Sequence, residues 1–155
     1  MPEFNMTEAQ EMPYLYVERS SGMAPEDIGA AMGRAFGDVW DFMQAHGIAP
    51  QGPALSVYYT YDPETVTFRA GFVVGREDLN RADGAVKADV TPAGRVVHFT
   101  HKGPYSELRT SYGKLMEYIE DEGLTMGAPS WEVYVNDPDR TPEDELITEI
   151  YVSLA

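Results

Sequence analysis

The feature that most constrains the fold of this chain is an internal repeat with a spacing of 76 residues. The matched positions are Gly37 with Gly113, Gly47 with Gly123, Pro53 with Pro129, Val57 with Val133, and Tyr58 with Tyr134. An Asp-Pro pair at 62–63 recurs at 137–138 with one residue dropped. Two related units, about 12–75 and 85–155, therefore predict one pseudo-symmetric domain over residues 12–155. Each unit supplies a strand, a helix and a hairpin.

Each unit contains one amphipathic segment with helical spacing. In the first, Ala24 to His46, the recurring apolar residues are Ile28, Met32, Ala35, Phe36, Val39 and Met43. In the second, from about Ser106 to Gly123, they are Leu108, Tyr112, Leu115 and Ile119. A glycine follows each segment, as is typical of a helix C-terminus. We further expect a close approach of the first helix to the sheet along a line of small residues, Gly29, Gly33 and Gly37.

Segments of alternating apolar residues surround these helices: Tyr14 to Arg19, Leu55 to Thr60, Thr65 to Val74, Trp131 to Asn136 and Thr148 to Leu154. They predict an α+β fold, in which an antiparallel sheet carries two main helices on one face and a ligand groove on the other. Residues 1–11 are polar and lack periodicity, which predicts a disordered N-terminal segment. Met6 is an alternative native start, in which case Met1 to Asn5 is a remnant of cloning.

The last strand carries one acid among apolar residues. Side chains two apart share a face, which separates two sets: Thr148, Ile150, Val152 and Leu154 from Ile147, Glu149, Tyr151 and Ser153. The first set is expected to pack on the helices, which leaves Glu149 in the groove. Because an unpaired acid is uncommon in an apolar strand, Glu149 is the leading candidate for a functional residue.

Other candidates follow from the repeat. Tyr58 and Tyr134 are predicted to be symmetry mates on the groove side, Ser56 corresponds to Glu132, and Gly71 is placed opposite Glu149. Further aromatic candidates for the same surface are Tyr16, Tyr151 and Tyr105, the last of which either lines the groove edge or caps the turn before the second helix. Ordinary sheet packing explains each tyrosine on the strands equally well. An exposed cross-strand position is the simpler expectation for Glu132, and core positions are expected for Trp40 and Trp131.

Composition excludes several classes of function. Asp and Glu number 26 against 11 Lys and Arg, and the formal charge of −15 repels phosphate backbones and anionic lipid. We therefore expect neither direct DNA binding nor membrane association. Cysteine is absent and the three histidines, His46, His98 and His101, form no ligand cluster, so neither a metal nor a cofactor is expected. Without a membrane-length apolar run or a secretory signal, the chain is predicted to be cytoplasmic.

Five segments in order and at matching spacing resemble the GyrI-like family, which also supplies the effector-binding domains of many AraC- and MerR-type multidrug regulators. They are HKGPY (101–105), the helix that ends at Gly123, EVYVNDP (132–138), PEDE (142–145) and TEIYVSL (148–154). The resemblance covers nearly the whole chain from about Met12. It implies that a Glu at the position of Glu149 sits deep in an aromatic pocket and recognises cationic drugs. No helix-turn-helix segment precedes Tyr14, so a complete transcription factor is not expected.

Three functions are open at this point. The first is a stand-alone binding domain that senses or sequesters bulky, lipophilic, cationic small molecules, because a carboxylate among aromatic rings attracts such cations. The second is a hydrolase of strained electrophilic natural products, as the resemblance implies for some members, with Glu149 as general base. The third is an acidic protein-interaction partner such as a gyrase modulator. The same Glu and Tyr residues serve the first two functions, so the sequence does not separate them.

Overall fold

A computed structural model describes residues 3–22, 24–59, 64–136 and 140–155 of the chain. Within these ranges the strands are β1 (Asn5–Ala9), β2 (Pro13–Gly22), β3 (Ala54–Tyr58), β4 (Thr65–Val73), β5 (Lys87–Val90), β6 (Gly94–Lys102), β7 (Met126–Tyr134) and β8 (Ile147–Leu154). The α-helices are α1 (Pro25–Ala45) and α2 (Leu108–Asp121), and short 3-10 turns cover Arg76–Arg81, Tyr105–Glu107 and Glu143–Glu145. The repeated Asp-Pro pairs at 62–63 and 137–138 lie outside the described residues. Neither α1 nor α2 is long and apolar enough to span a membrane, and these are the α-helices of the described ranges.

All described strands join one antiparallel sheet in the order β1-β6-β8-β7-β3-β4-β2-β5. The order is symmetric about its centre, where β3 of the first unit pairs with β7 of the second. In that pairing Ser56 lies opposite Glu132, Leu55 opposite Val133, and Val57 opposite Trp131. Ser56 and Glu132 are also equivalent in the repeat, so a local twofold axis passes through this pair. The predicted pseudo-symmetric α+β fold is confirmed.

The helices cover the two halves of the sheet separately. Helix α1 packs its buried stripe, which includes Ala35, Val39 and Met43, on residues of β2 and β4. Helix α2 packs Leu115 and Ile119 on residues of β6 and β8. The central strands β3 and β7 therefore lie beneath the gap between the two helices. We call the sheet face that carries α1 and α2 the helix face.

The opposite face of the sheet is strongly curved. Strands β5 and β6 are six positions apart in the sheet, which is about 29 Å in a flat sheet. The chain from Val90 to Gly94 can span at most about 15 Å, so the sheet must curl until these strands approach each other. The side chains inside the curl form one buried cluster: Tyr14, Tyr16, Leu55, Val57, Val73, Val96, Trp131 and Val133. We call this side the concave face.

Several expectations differ from the structure. The N-terminal segment that was expected to be disordered contains β1, an edge strand whose mostly exposed side chains give no apolar pattern and whose backbone pairs with β6. Strand β5 falls in the predicted second unit, yet it pairs with β2 of the first.

Two expectations about α1 are also wrong. Its aligned glycines are exposed, and a Cβ added at Gly29, Gly33 or Gly37 would meet no atom within 4 Å, so they permit no close approach to the sheet. Trp40 is 42% exposed rather than part of the core. The glycines lie on the exposed side of α1. Trp40 lies beside the buried stripe, where its ring contacts Phe72 of β4 at 5.7 Å and stays partly exposed.

Candidate functional site

The predicted site residues lie on two different faces of the sheet. Ser56, Tyr58, Glu132 and Tyr134 belong to the helix face, since Tyr134 contacts α1 and Glu132 contacts α2. Glu149, Tyr151 and Tyr16 belong to the concave face, where Tyr151 stacks on Trp131. The register between β7 and β8 is the reason, because it places Glu132 opposite Ile150 and Val133 opposite Glu149. The expectation that these residues line one groove is therefore wrong.

The helix-face group lies at the centre of the sheet. We call it the cleft and define it by Ser56, Tyr58, Glu132 and Tyr134. Glu132 is 6% exposed rather than an exposed cross-strand residue. The Tyr134 hydroxyl donates to its Oε1 atom at 2.8 Å, and the Tyr112 hydroxyl donates to its Oε2 atom. Ser56 Oγ lies 2.7 Å from the Tyr134 hydroxyl and donates to the Tyr58 hydroxyl at 3.2 Å. A continuous polar network thus surrounds one buried carboxyl group.

Side chains from both helices complete the cleft. From α1, Met32 places its Sδ atom 3.7 Å from the Tyr134 hydroxyl, and the Phe36 ring stands edge-on to the Tyr134 ring at 6.0 Å. From the turn before α2, the Tyr105 ring stands 5.6 Å from the Tyr134 ring. Tyr105 therefore lies at the edge of the cleft, which is one of its two predicted positions. The acid is enclosed by aromatic rings and a flexible thioether.

The Glu132 carboxyl has hydrogen bonds but no ion pair within the described residues. Burial raises its pKa above the ordinary value of 4.5, while hydrogen bonds from Tyr112 and Tyr134 and the electrostatic influence of His101 act in the opposite direction. Burial likewise raises the pKa of Tyr134, and the neighbouring Glu132 adds to that shift. The cleft thus combines a desolvated acid with the Tyr134 phenol, which stays protonated and donates to it.

His101 supports this arrangement from β6. It is buried, with Nδ1 2.7 Å from Ser111 Oγ on α2 and Nε2 3.0 Å from the Pro104 carbonyl oxygen. These contacts join β6 to the beginning of α2, the helix that carries Tyr112 to Glu132. His98 and His101 are three residues apart on β6 and therefore face opposite sides of the sheet.

Glu149 occupies a different environment from the one expected. Its side chain is 24% exposed, its Oε2 atom lies 2.5 Å from His98 Nε2, and the Thr100 hydroxyl donates to Oε1 at 2.5 Å. The expectation of an unpaired, buried acid is therefore wrong. His98 and Thr100 belong to β6, the neighbouring strand, so the alternation of side chains within β8 alone could not reveal them. Whether Glu149 contacts a ligand stays a prediction.

The symmetry mate of Glu149 is Arg69 rather than Gly71. Arg69 pairs with Val57 across β4 and β3, and Glu149 pairs with Val133, the repeat equivalent of Val57. The Arg69 guanidinium lies 4.4 Å from the centres of both the Tyr16 and Tyr59 rings, and its Nη1 atom is 2.7 Å from Asp89. Tyr16 is thus a partner of Arg69 in the first unit. The predicted equivalence failed because the hairpins of the two units differ in length.

Two contributors to the cleft were not singled out from the sequence. Tyr112 was assigned to the buried stripe of α2, and Met32 to that of α1. The signal for Tyr112 was its hydroxyl, because a buried phenol needs a hydrogen-bond partner. For metals, no group of three or more His, Asp or Glu residues with suitable geometry is found in the described part of the chain.

The family model described as GyrI-like small molecule binding domain matches residues 2–155. No curated protein sequence matches the chain significantly.

Several solved structures share the fold. The EcmrR C-terminal domain is 20% identical over 100% of this chain and 98% of its own, with a TM-score of 0.84. SAV2435 bound to tetraphenylphosphonium is 10% identical over 99% of this chain and 94% of its own, with a TM-score of 0.66. A hydrolase encoded by lin2189 from Listeria innocua is 17% identical over 99% of this chain and 92% of its own, with a TM-score of 0.61.

Proposed function

Because the chain belongs to the GyrI-like family of small-molecule-binding domains, we propose that it binds bulky lipophilic cations in the cleft, with Glu132 as the counter-ion. The observation that carries this proposal is a buried carboxyl group with no ion pair among the described residues. Proteins seldom keep a buried acid without a positive partner, since its desolvation is unfavourable. A cationic ligand would supply the missing charge.

The surroundings of Glu132 suit a cation that is large and apolar. Attraction between opposite charges strengthens as the local dielectric constant falls, and the cleft already excludes water from the acid. Each well-placed aromatic ring adds about 0.5–2 kcal/mol of cation–π attraction, and the rings available are those of Phe36, Tyr105 and Tyr134. A small hydrated cation gains less, because it would lose its own water shell.

Entry to the cleft requires side-chain movement. Tyr112 and Met32 reach Glu132 and Tyr134 from opposite sides, so a ligand must displace one of them to touch the acid. Met32 is the easier to move, because its thioether contact is weak and its side chain has three rotatable bonds. Tyr112 would give up a hydrogen bond to a carboxyl oxygen. The same fold accommodates a cation of this kind in SAV2435, whose solved structure holds tetraphenylphosphonium.

The raised pKa of Glu132 has a consequence for ligand binding. A protonated acid offers no charge to a cation, so binding favours the ionised form and releases a proton wherever the free acid is protonated. Affinity for a permanent cation should therefore rise with pH until Glu132 is ionised in the free protein.

Two probes of equal shape and opposite charge test this function. Tetraphenylphosphonium should bind in isothermal titration calorimetry and raise the melting temperature, whereas tetraphenylborate should do neither. Equal affinity for both ions would show that shape and apolar area, rather than the acid, determine binding. The absence of any binding by tetraphenylphosphonium and other lipophilic cations would overturn the proposal.

A second candidate function is hydrolysis of strained electrophiles, and the same acid favours it. A desolvated carboxylate with a raised pKa is a suitable general base for a water molecule. Tyr134 donates a hydrogen bond to this carboxylate, so its hydroxyl lies close to the reacting group. The similarity to the Listeria innocua hydrolase is compatible with this chemistry. Incubation with strained epoxides, followed by mass spectrometry, would detect a product 18 mass units heavier, because one water molecule is added. Replacement of Glu132 by Gln should abolish that turnover and leave substrate binding in place.

A further inference from the structure

A cavity lies on the concave face of the sheet, away from the cleft. Its volume is about 480 Å³, and it is lined by residues 7–12 together with His98, Trp131 and Tyr151. Trp131 is the chain neighbour of Glu132, so the two side chains point to opposite faces of β7. The cavity and the cleft are therefore separated by the thickness of the sheet.

Three aromatic rings form one wall of this cavity. Trp131, Tyr151 and His98 lie directly opposite one another on β7, β8 and β6. The Trp131 and Tyr151 rings are 5.3 Å apart and nearly parallel at 13°, and the Tyr151 and His98 rings are 4.7 Å apart at 30°. Because the rings stack on one another, they present their edges to the cavity, and the face of a planar ligand can pack on these edges.

The repeat shows that this stack is specific to one half of the sheet. The equivalent row in the first unit consists of Leu55, Gly71 and Tyr16, which pair across β3, β4 and β2. It contains a single ring, and Gly71 leaves its centre without a side chain. Duplication of the unit alone therefore does not account for the aromatic wall.

The wall also carries unused hydrogen-bonding groups. Trp131 is 1% exposed, and its Nε1 atom is buried without a hydrogen-bond partner among the described residues. A buried N–H group of this kind normally has an acceptor. His98 directs Nε2 at Glu149, which the Thr100 hydroxyl holds in place, and no partner of His98 Nδ1 is found in the described ranges. In the tautomer that donates to Glu149, Nδ1 is an acceptor.

Charge at the cavity opposes anions. The lining segment includes Glu8 and Glu11, both exposed, and Glu149 stands behind His98. Arg76 lies 3.7 Å from Glu11, and this contact reduces the negative potential at one side. A neutral ligand meets neither strong repulsion nor a dedicated counter-ion here.

We infer that the concave cavity is a second ligand site, which takes neutral planar heteroaromatic molecules bearing a carbonyl group and a ring N–H at opposite ends, since the Tyr151 ring lies between Trp131 and His98. The carbonyl oxygen accepts from Trp131 Nε1, the ring N–H donates to His98 Nδ1, and the face of the ring system packs on the ring edges of the aromatic wall. This site differs from the cleft in face, ligand charge and ligand shape, and it does not depend on the function proposed for Glu132.

The chain offers a direct readout of this site. It contains two tryptophans, so Trp40→Phe leaves Trp131 as the sole indole fluorophore. In that background, 4-quinolone, whose carbonyl and N–H lie at opposite ends of one ring, should change the emission of Trp131 saturably. His98→Ala should weaken this binding by about tenfold, the loss expected for one ring contact and one hydrogen bond. Ala9→Phe, which fills the cavity from β1, should abolish it. Glu132→Gln should leave it unchanged.

Circular dichroism melts of each variant show whether it is folded, and Ala9→Phe provides a second test if His98→Ala is unstable. The inference is overturned if 4-quinolone produces no saturable change in the Trp40→Phe protein. It is equally overturned if Glu132→Gln removes the change while His98→Ala and Ala9→Phe retain it, because the ligand would then occupy the cleft.

Discussion

Replacement of Glu132 by Gln tests the central feature of the cleft. The substitution keeps the volume of the side chain and removes only its charge. The Gln carbonyl can accept from one of the two tyrosine hydroxyls that now donate to the carboxyl group, and its amide can donate to the other. The polar network of Ser56, Tyr58 and Tyr134 can therefore persist, so any change in affinity reports on charge.

The magnitude follows from the burial of the acid. A cation placed about 4 Å from a carboxylate gains about 4 kcal/mol at an effective dielectric constant of 20. Part of this gain ionises the acid, because burial has raised the pKa of Glu132. The remaining loss on substitution should be about 1–3 kcal/mol, the range of a charge-assisted contact. This corresponds to a 5–150-fold rise in Kd for tetraphenylphosphonium, on the order of one to two decades.

Isothermal titration calorimetry on three proteins provides the assay. The matched control is Glu149→Gln, which makes the same acid-to-amide change on the neighbouring strand but on the concave face, where His98 contacts the acid. Affinity for tetraphenylphosphonium should fall in Glu132→Gln and stay at the wild-type value in Glu149→Gln. A proton should be released on binding to the wild type and not to Glu132→Gln, as titrations in buffers of different ionisation enthalpy would show.

One pattern of affinities would refute the assignment of Glu132 as the counter-ion. If Glu149→Gln lost the affinity while Glu132→Gln kept it, the acid on the concave face would be the ligand contact, as the sequence alone suggested. Equal affinities in all three proteins would show that neither acid contributes to binding and that apolar contacts determine the affinity.

Three further predictions concern the folded protein. The folded state holds a proton on Glu132 at pH values where the unfolded chain has released it. This contribution to stability is therefore complete below about pH 4.5 and is lost as pH rises through the folded-state pKa of Glu132. Thermal melts should show the Tm of the wild type falling relative to that of Glu132→Gln across this window, and parallel pH profiles of the two proteins would contradict the prediction. Gly71→Ala should destabilise the protein by about 3 kcal/mol or more, since an added Cβ would lie 1.8 Å from the Leu15 carbonyl oxygen. Gly113→Ala, where nothing lies within 4 Å, is the control and should stabilise α2 by up to about 1 kcal/mol; equal urea midpoints for the two variants would be inconsistent with this packing. EDTA should leave the Tm unchanged, and a shift of several degrees would reveal a metal.

The fold could be predicted from the sequence to a large extent. The 76-residue repeat, two helical stripes and several alternating segments were enough for an antiparallel sheet with two helices on one face. These signals are local, since each depends on the spacing of apolar residues within one element. Strands β1 and β5 were missed because they are short edge strands with weak or absent alternation. Their positions depend on backbone pairing, which is insensitive to side-chain type.

The sequence of each strand also determines which of its side chains share a face of the sheet. Ile150 and Val152 pack beneath α2 as expected, and Glu149 and Tyr151 lie together on the other side of β8. In β7, Glu132 and Tyr134 share one face, opposite Trp131. Period-two alternation identifies these sets without knowledge of the fold.

Only the tertiary structure decided which side chains of one strand lie on the same face as which side chains of the neighbouring strand. Alternation leaves the register between two strands undetermined, and a slip of one residue moves a whole set to the other face. The pairing of Glu132 with Ile150 places Glu132 beneath the helices and Glu149 on the concave face beside His98. Two acids on adjacent strands thus acquired different surroundings. One is buried and forms no ion pair with the described residues, and the other contacts His98 and is partly exposed, because register is a property of the assembled sheet.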